Sequence, residues 1–197
     1  MYKVFFNQKV IFLTTELVQQ TPSAPVFFIK YSAAEHIVKA MKSKKIDCLY
    51  LYHASEDKLW MHLLRLFPVV EAAGGLVRHK DGRFLFIYRN DKWDLPKGRI
   101  EKYEPIRLAA IREVEEETAV TELEIARPLI DTFHIFSRNG KHKLKKTYWF
   151  EMKTSSEAKL VPQLDEGIEQ AVWLSRKEIP EKFENAYENI KMVYNSL

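Results

Sequence analysis

Cysteine is nearly missing from this chain. Cys48 is the only one in 197 residues, so no disulfide can form within it and a cross-linked scaffold is excluded. No helix-length apolar run occurs either. Val4-Phe5-Phe6 is interrupted by Asn7-Gln8-Lys9 before apolar residues resume, a pattern of neither a signal peptide nor a membrane span. Internal repeats and low-complexity segments are absent. The excess of charge is small, 31 Lys and Arg against 27 Asp and Glu, for a formal net charge of +4. Nucleic acid is therefore not the expected partner, and no aromatic-basic interleaving stands out along the sequence. What remains is 46% hydrophobic and 29% charged, a globular composition with enough apolar residues for a core. A cytoplasmic, non-membrane protein is the expectation.

The first third reads as a small α/β domain over residues 1–68. Val4–Phe6 and Val10–Leu13 suggest a hairpin, Val26–Tyr31 and Ile46–Tyr52 further strands. Ser32, with Glu35 three residues on, predicts a helix cap, and Ser55 predicts another. Residues 69–197 form the second expected domain. Ala72-Ala73-Gly74-Gly75 lies in an extended segment whose small residues admit close neighbours. Asp81-Gly82 and Asn139-Gly140 are hairpin turns, Pro105 suits the first turn of a helix, and Phe183, Tyr187, Ile190 and Tyr194 recur at helical spacing.

Chemistry concentrates after Pro105. Wound at about 100° per residue, Glu113, Glu116 and Glu117 share one arc with Ala109, while Ala110, Ile111 and Val114 face a core. Glu113 and Glu117 repel at i,i+4, and only Arg112 is spaced to offset Glu116. A solvated helix face usually alternates charge sign. This arc is one-signed and bordered by small residues, which suits a hard divalent cation with oxygen ligands.

The segment resembles the signature of the Nudix hydrolases, G-x5-E-x7-R-E-U-x-E-E-x-G-U. It is met at Gly98, Glu104, Arg112, Glu113, Val114, Glu116, Glu117 and Val120, with Ala119 where the second glycine stands. The resemblance runs from about Glu71 to the C-terminus and does not cover the first third. It implies an α/β/α sandwich with a mixed sheet, and hydrolysis of a nucleoside diphosphate linked to another moiety. It implies Mg2+, or Mn2+ in its place, held by Glu113, Glu116, Glu117 and the Gly98 carbonyl, with Glu104 and Arg112 bracing the loops. At Ala119, glycine would take a left-handed conformation freely, whereas alanine costs about 1 kcal/mol there.

Other assignments rest on less. Leu95-Pro96-Lys97-Gly98 resembles the pattern of dinucleoside polyphosphate hydrolases more than that of oxidised-nucleotide sanitisers. Substrate contacts are assigned to Lys97, Tyr103, Tyr148 and, in a basic hairpin, Lys143 and Lys145, whose charge suits a polyphosphate. The general base is Glu116 or Glu117, or else Asp165 or Glu166 from the loop after Pro162. His79, His134 and His142 have no metal-ligand spacing. Two other functions stay open: a nucleotide-sensing module without turnover, and processing of RNA ends. For the first domain, covering the active site, forming a homodimer interface and binding a partner are all open roles.

Overall fold

The computed structural model describes residues 1–197. Its elements are β1 (Tyr2–Phe6), β2 (Lys9–Thr14), β3 (Val26–Phe28), α1 (Ala34–Lys42), β4 (Cys48–Tyr52), α2 (Glu56–Leu66), β5 (Val69–His79), β6 (Phe84–Arg89), β7 (Lys92–Asp94) and β8 (Lys97–Arg99). Then follow α3 (Ile106–Thr118), β9 (Glu124–Pro128), β10 (Thr132–Arg138), β11 (Lys141–Thr154), β12 (Ile168–Leu174), α4 (Ile179–Phe183) and α5 (Glu188–Tyr194). They divide between two compact units: Met1–Val70 with Phe133–Lys146, and Glu71–Thr132 with Thr147–Leu197. The arm Phe133–Lys146, expected in the later domain, thus belongs with the first third of the chain. Its Ile135 and Leu144 are buried in that unit's core.

In the first unit the strands run β11-β10-β1-β2-β4-β3. β1 and β2 form the expected antiparallel hairpin, turned at Asn7 with φ 53°, a conformation asparagine tolerates. β1 also pairs in parallel with β10, Val4 opposite Phe133, across a sequence gap that no local pattern signals. β4 alternates buried Leu49 and Leu51 with half-buried Cys48, Tyr50 and Tyr52. The buried set packs with Ile37, Val38 and Met41 of α1 and with Leu59 and Leu63 of α2. Ser55 caps α2, accepting from the Lys58 N–H at 3.4 Å. Ser32 does not cap α1. Its hydroxyl donates back to the Phe28 carbonyl at 3.0 Å, closing a 3-10 turn over Ile29–Tyr31 where strand was expected, and Ala33 takes the cap position.

The second unit carries the order β12-β6-β5-β11, with β7 on β6, β8 on β5 and β9 on β11. Alternation along β5 separates two cores. Ala73 and Val77 join Leu85, Phe150 and Met152 under Ala109, Ala110 and Val114 of α3. Leu76 joins Phe84, Phe86 and Trp149 under Ile179 of α4 and Ile190 and Val193 of α5. Helices therefore cover both faces of a mixed sheet, the α/β/α arrangement that the family resemblance implies. The small residues of β5 serve close packing. A Cβ on Gly75 would stand 2.7 Å from the Met152 sulfur and 3.1 Å from Val114, and one on Gly74 would strike Pro96 and Lys97.

Candidate active site

α3 begins where Pro105, at φ −64° and ψ 134°, takes the N-cap position, one residue before the first-turn place predicted for it. It ends at Ala119, whose φ of 60° and ψ of 16° are left-handed while its N–H donates to the Glu115 carbonyl at 2.8 Å. Alanine here occupies the conformation that glycine takes without side-chain strain.

Arg112 is the hub of the helix. Its Nε and Nη2 fork onto the two oxygens of Glu104 at 2.7 and 2.8 Å, and Nη2 also donates to the Arg99 carbonyl at 3.1 Å. The loop before the helix is thereby tied to the helix flank. The fork is also the cause that holds Glu104 below the usual carboxylate range. The remaining nitrogen, Nη1, donates to Glu113 and to Glu116, each at 2.8 Å. Two carboxylates thus converge on one positively charged atom. Glu113 also lies against β8: a Cβ on Gly98 would overlap its carboxylate, so only glycine leaves room there. Burial pushes Glu113 up, against the pull of Arg112, while Glu116 is exposed.

Glu117 has different surroundings. It is 2% exposed, accepts the Lys97 backbone N–H on one oxygen at 2.8 Å, and is approached by Arg89 Nη1 at 3.3 Å on the other. Burial pushes its pKa up to about 7, with Asp94 adding to the rise, and Lys97 and Arg89 opposing it. The expected single arc of three carboxylates is therefore divided into a pair clamped by Arg112 and a buried member facing β6 and β8. No three His, Cys, Asp or Glu side chains converge closely enough to hold a metal between them. The donors present still suit magnesium, which binds through one or two carboxylates and completes its octahedron with water and phosphate oxygens. The point where Glu113 and Glu116 converge already holds a positive charge.

The Lys97 ammonium is engaged by the buried Asp94 at 2.7 Å, and it is the backbone N–H of Lys97 that donates to Glu117. Tyr148 donates its hydroxyl to Glu71 at 2.7 Å. Tyr103 is 90% exposed at φ 68°, with Lys102 Nζ 4.8 Å above its ring. Lys143 and Lys145 belong to the first unit, whereas α3 belongs to the second. Asp165 and Glu166 sit in a 3-10 turn. The segment before them is pinned to the end of α3, where Val161 and Gln163 N–H groups donate to the Thr118 and Glu117 carbonyls at 3.0 and 3.2 Å. Sequence reasoning missed Arg89 and Asp94, since neither stands at a spacing from the helix that signals contact.

A family model described as NUDIX domain matches residues 68–194. Among solved structures, the chain is similar to an Ap4A hydrolase of C. elegans, in a binary complex, at 21% identity and TM-score 0.50, covering 64% of this chain and 93% of that one. A Nudix hydrolase from M. smegmatis is similar at 14% identity and TM-score 0.50, covering 66% of this chain and 84% of the other. At such identities the likeness is one of fold.

Proposed function

Because this chain belongs to the Nudix family and is thereby a Nudix-type pyrophosphohydrolase, we propose that it cleaves a phosphoanhydride bond in a nucleoside diphosphate linked to another moiety. A dinucleoside polyphosphate or a simple nucleotide is the substrate class, and Mg2+ the cofactor. The observation that carries this reading is the convergence of Glu113 and Glu116 on one cationic atom beside Gly98. These two carboxylates and the Gly98 carbonyl are the proposed ligands. When bound, the divalent cation neutralises charge on the anhydride and makes water easier to deprotonate.

The protein supplies the rest. Arg112, through Glu104 and the Arg99 carbonyl, fixes the loop that follows β8 against α3. Lys97 N–H and Arg89 hold the Glu117 carboxylate in one orientation, and the Lys97–Asp94 pair anchors the backbone that presents that N–H. Glu117 is thus the carboxylate positioned to take a proton from the attacking water, more than the exposed Glu116. Asp165 and Glu166 lie three residues or less beyond the bond from Gln163 to the helix end and are the alternative base.

The test is incubation of the purified protein with magnesium and a panel of nucleoside diphosphate derivatives, with products identified by mass spectrometry. Phosphate-bearing cleavage products are expected from at least one member. Binding across the panel without any product would replace the hydrolytic reading with a nucleotide-sensing one.

A further inference from the structure

The small overall charge conceals a separation. The first unit contains fourteen Lys and Arg against five Asp and Glu, a formal +9 in 84 residues, whereas the second contains seventeen against twenty-two, or −5. A surplus of that size in so small a unit favours a polyanionic partner. Three of these cations, Lys3, Lys143 and Lys145, fall on one face of the unit's sheet. In the first unit, α1 and α2 pack on the sheet face that carries Ile11, Leu13, Leu49 and Leu51, and strand alternation sends the intervening residues to the opposite face.

That opposite face is aromatic. Phe12 of β2 stacks on Tyr50 of β4 with ring centroids 5.0 Å apart and planes 20° from parallel. Tyr52, two residues along β4, meets Phe28 of β3 edge-to-face at 5.3 Å. Phe12, Tyr50 and Tyr52 are half-buried and Phe28 is 50% exposed. Cations sit in the same rows. Exposed Lys3 of β1 is the cross-strand partner of Phe12. At the far side of the sheet, Lys145 of β11 lies 5.1 Å over the ring of Phe136 of β10, and Lys143 follows the same alternation as Lys145. Aromatic and basic residues are thus interleaved across six strands, a width of about 24 Å at the usual strand spacing. Along the sequence the pattern is invisible because each strand contributes one or two of its members.

We propose that the first unit binds single-stranded nucleic acid across this sheet face, on which Phe5, the cross-strand partner of Val10, is the buried member. Unpaired bases stack on Phe12, Tyr50 and their neighbours, while Lys3, Lys143 and Lys145 meet the phosphates. Stacking accepts any base because every base has a π-face, and the phosphate contacts give a salt-dependent affinity through release of counterions. Charge complementarity selects the occupant: a protein partner would have to supply both strong acidity and flat apolar groups at the spacing of the strands, which a single strand carries by its covalent structure. This inference does not rest on the hydrolytic reading, because none of its residues lies in the second unit.

The experiment is fluorescence anisotropy of the full chain with a 5′-fluorescein 12-nucleotide RNA of unstructured sequence, titrated between 50 and 200 mM salt. Affinity is expected to fall linearly on log-log axes, with a slope of about −0.7 per phosphate neutralised. Phe12→Leu together with Tyr50→Leu keeps apolar volume in the sheet and should weaken binding roughly tenfold or more, given the usual size of base–aromatic stacking. Lys3→Glu alters only an exposed side chain and should weaken binding and flatten the salt slope, so the proposal remains testable if the double variant does not fold. Absence of binding at 50 mM salt would overturn it. So would equal affinity for a duplex of the same length, or for a polyphosphate of equal charge, since neither offers unstacked bases.

Discussion

Glu116 and Glu117 are neighbours in sequence and opposites in surroundings. The first is exposed and shares a single guanidinium nitrogen with Glu113. The second is buried between the Lys97 N–H and Arg89, with its pKa pushed up to about 7. The difference follows from helical geometry. Ala109, Ala110, Val114 and Thr118 mark a buried arc of about 180° on the helix; Glu117 falls near its middle, whereas Glu116 falls about 20° outside its edge, beyond Ala109. In the proposed mechanism these identical side chains on one turn divide the work, Glu116 serving the cation and Glu117 the proton.

The largest expected effect tests the buried member. Glu117→Gln keeps the shape and removes the proposed proton acceptor, so kcat should fall by about 10²- to 10⁴-fold, the usual size of general base catalysis, as measured by steady-state assay at saturating magnesium. A loss smaller than tenfold would move the proton-accepting role to Asp165 or Glu166.

Next is the cost of burying that carboxylate. Its folded-state value is raised from the ordinary 4.5 to about 7, so between these values the folded chain retains a proton that the unfolded chain has released. Stability from this group is therefore fully present below about pH 4.5 and is lost as pH rises through 7, by on the order of 3 kcal/mol. Chemical denaturation of the metal-free protein should show Glu117→Gln gaining stability relative to the parent as pH increases across that window. A difference independent of pH would refute the assigned burial effect.

Arg112→Lys probes the clamped pair. Lysine keeps the charge but cannot fork onto Glu104 while reaching Arg99, Glu113 and Glu116. A loss of on the order of 2 kcal/mol is expected for so many partly buried contacts, read from the denaturation midpoint. The smallest effect should be a gain. Ala119→Gly relieves the left-handed alanine but adds freedom to the unfolded chain, for a net of about 0.5 kcal/mol, seen as a melting temperature higher by about 1 to 2 °C.

The site was legible in the sequence only where spacing fixes contact. Eight positions from Gly98 to Val120 recover the loop and helix of the family signature, and Arg112 at i,i+4 from Glu116 announces one of its bonds. The grip of Arg112 on Glu104 entered only through the family resemblance. The surroundings of Glu117 depend on Arg89 and Asp94, brought up by β6 and β7 through sheet pairing that leaves no local pattern. In the fold, β5 was legible from its small residues, and the Asn139-Gly140 turn appears with φ 53° and 73°, the left-handed pair that a two-residue hairpin requires. The placement of that hairpin was not legible, because the parallel pairing of β1 with β10 joins residues far apart in sequence. Ser32 misled because its hydroxyl found a carbonyl four residues back before any helix began.

The division of labour on α3 is tested most directly by titrating magnesium against turnover in the parent protein, Glu116→Gln and Glu117→Gln. Glu116→Gln should raise the magnesium concentration at half-maximal rate, while Glu117→Gln should leave that concentration near the parent value and lower the rate at saturation. Equal shifts in half-saturation for both variants, or unchanged turnover in both, would contradict that division.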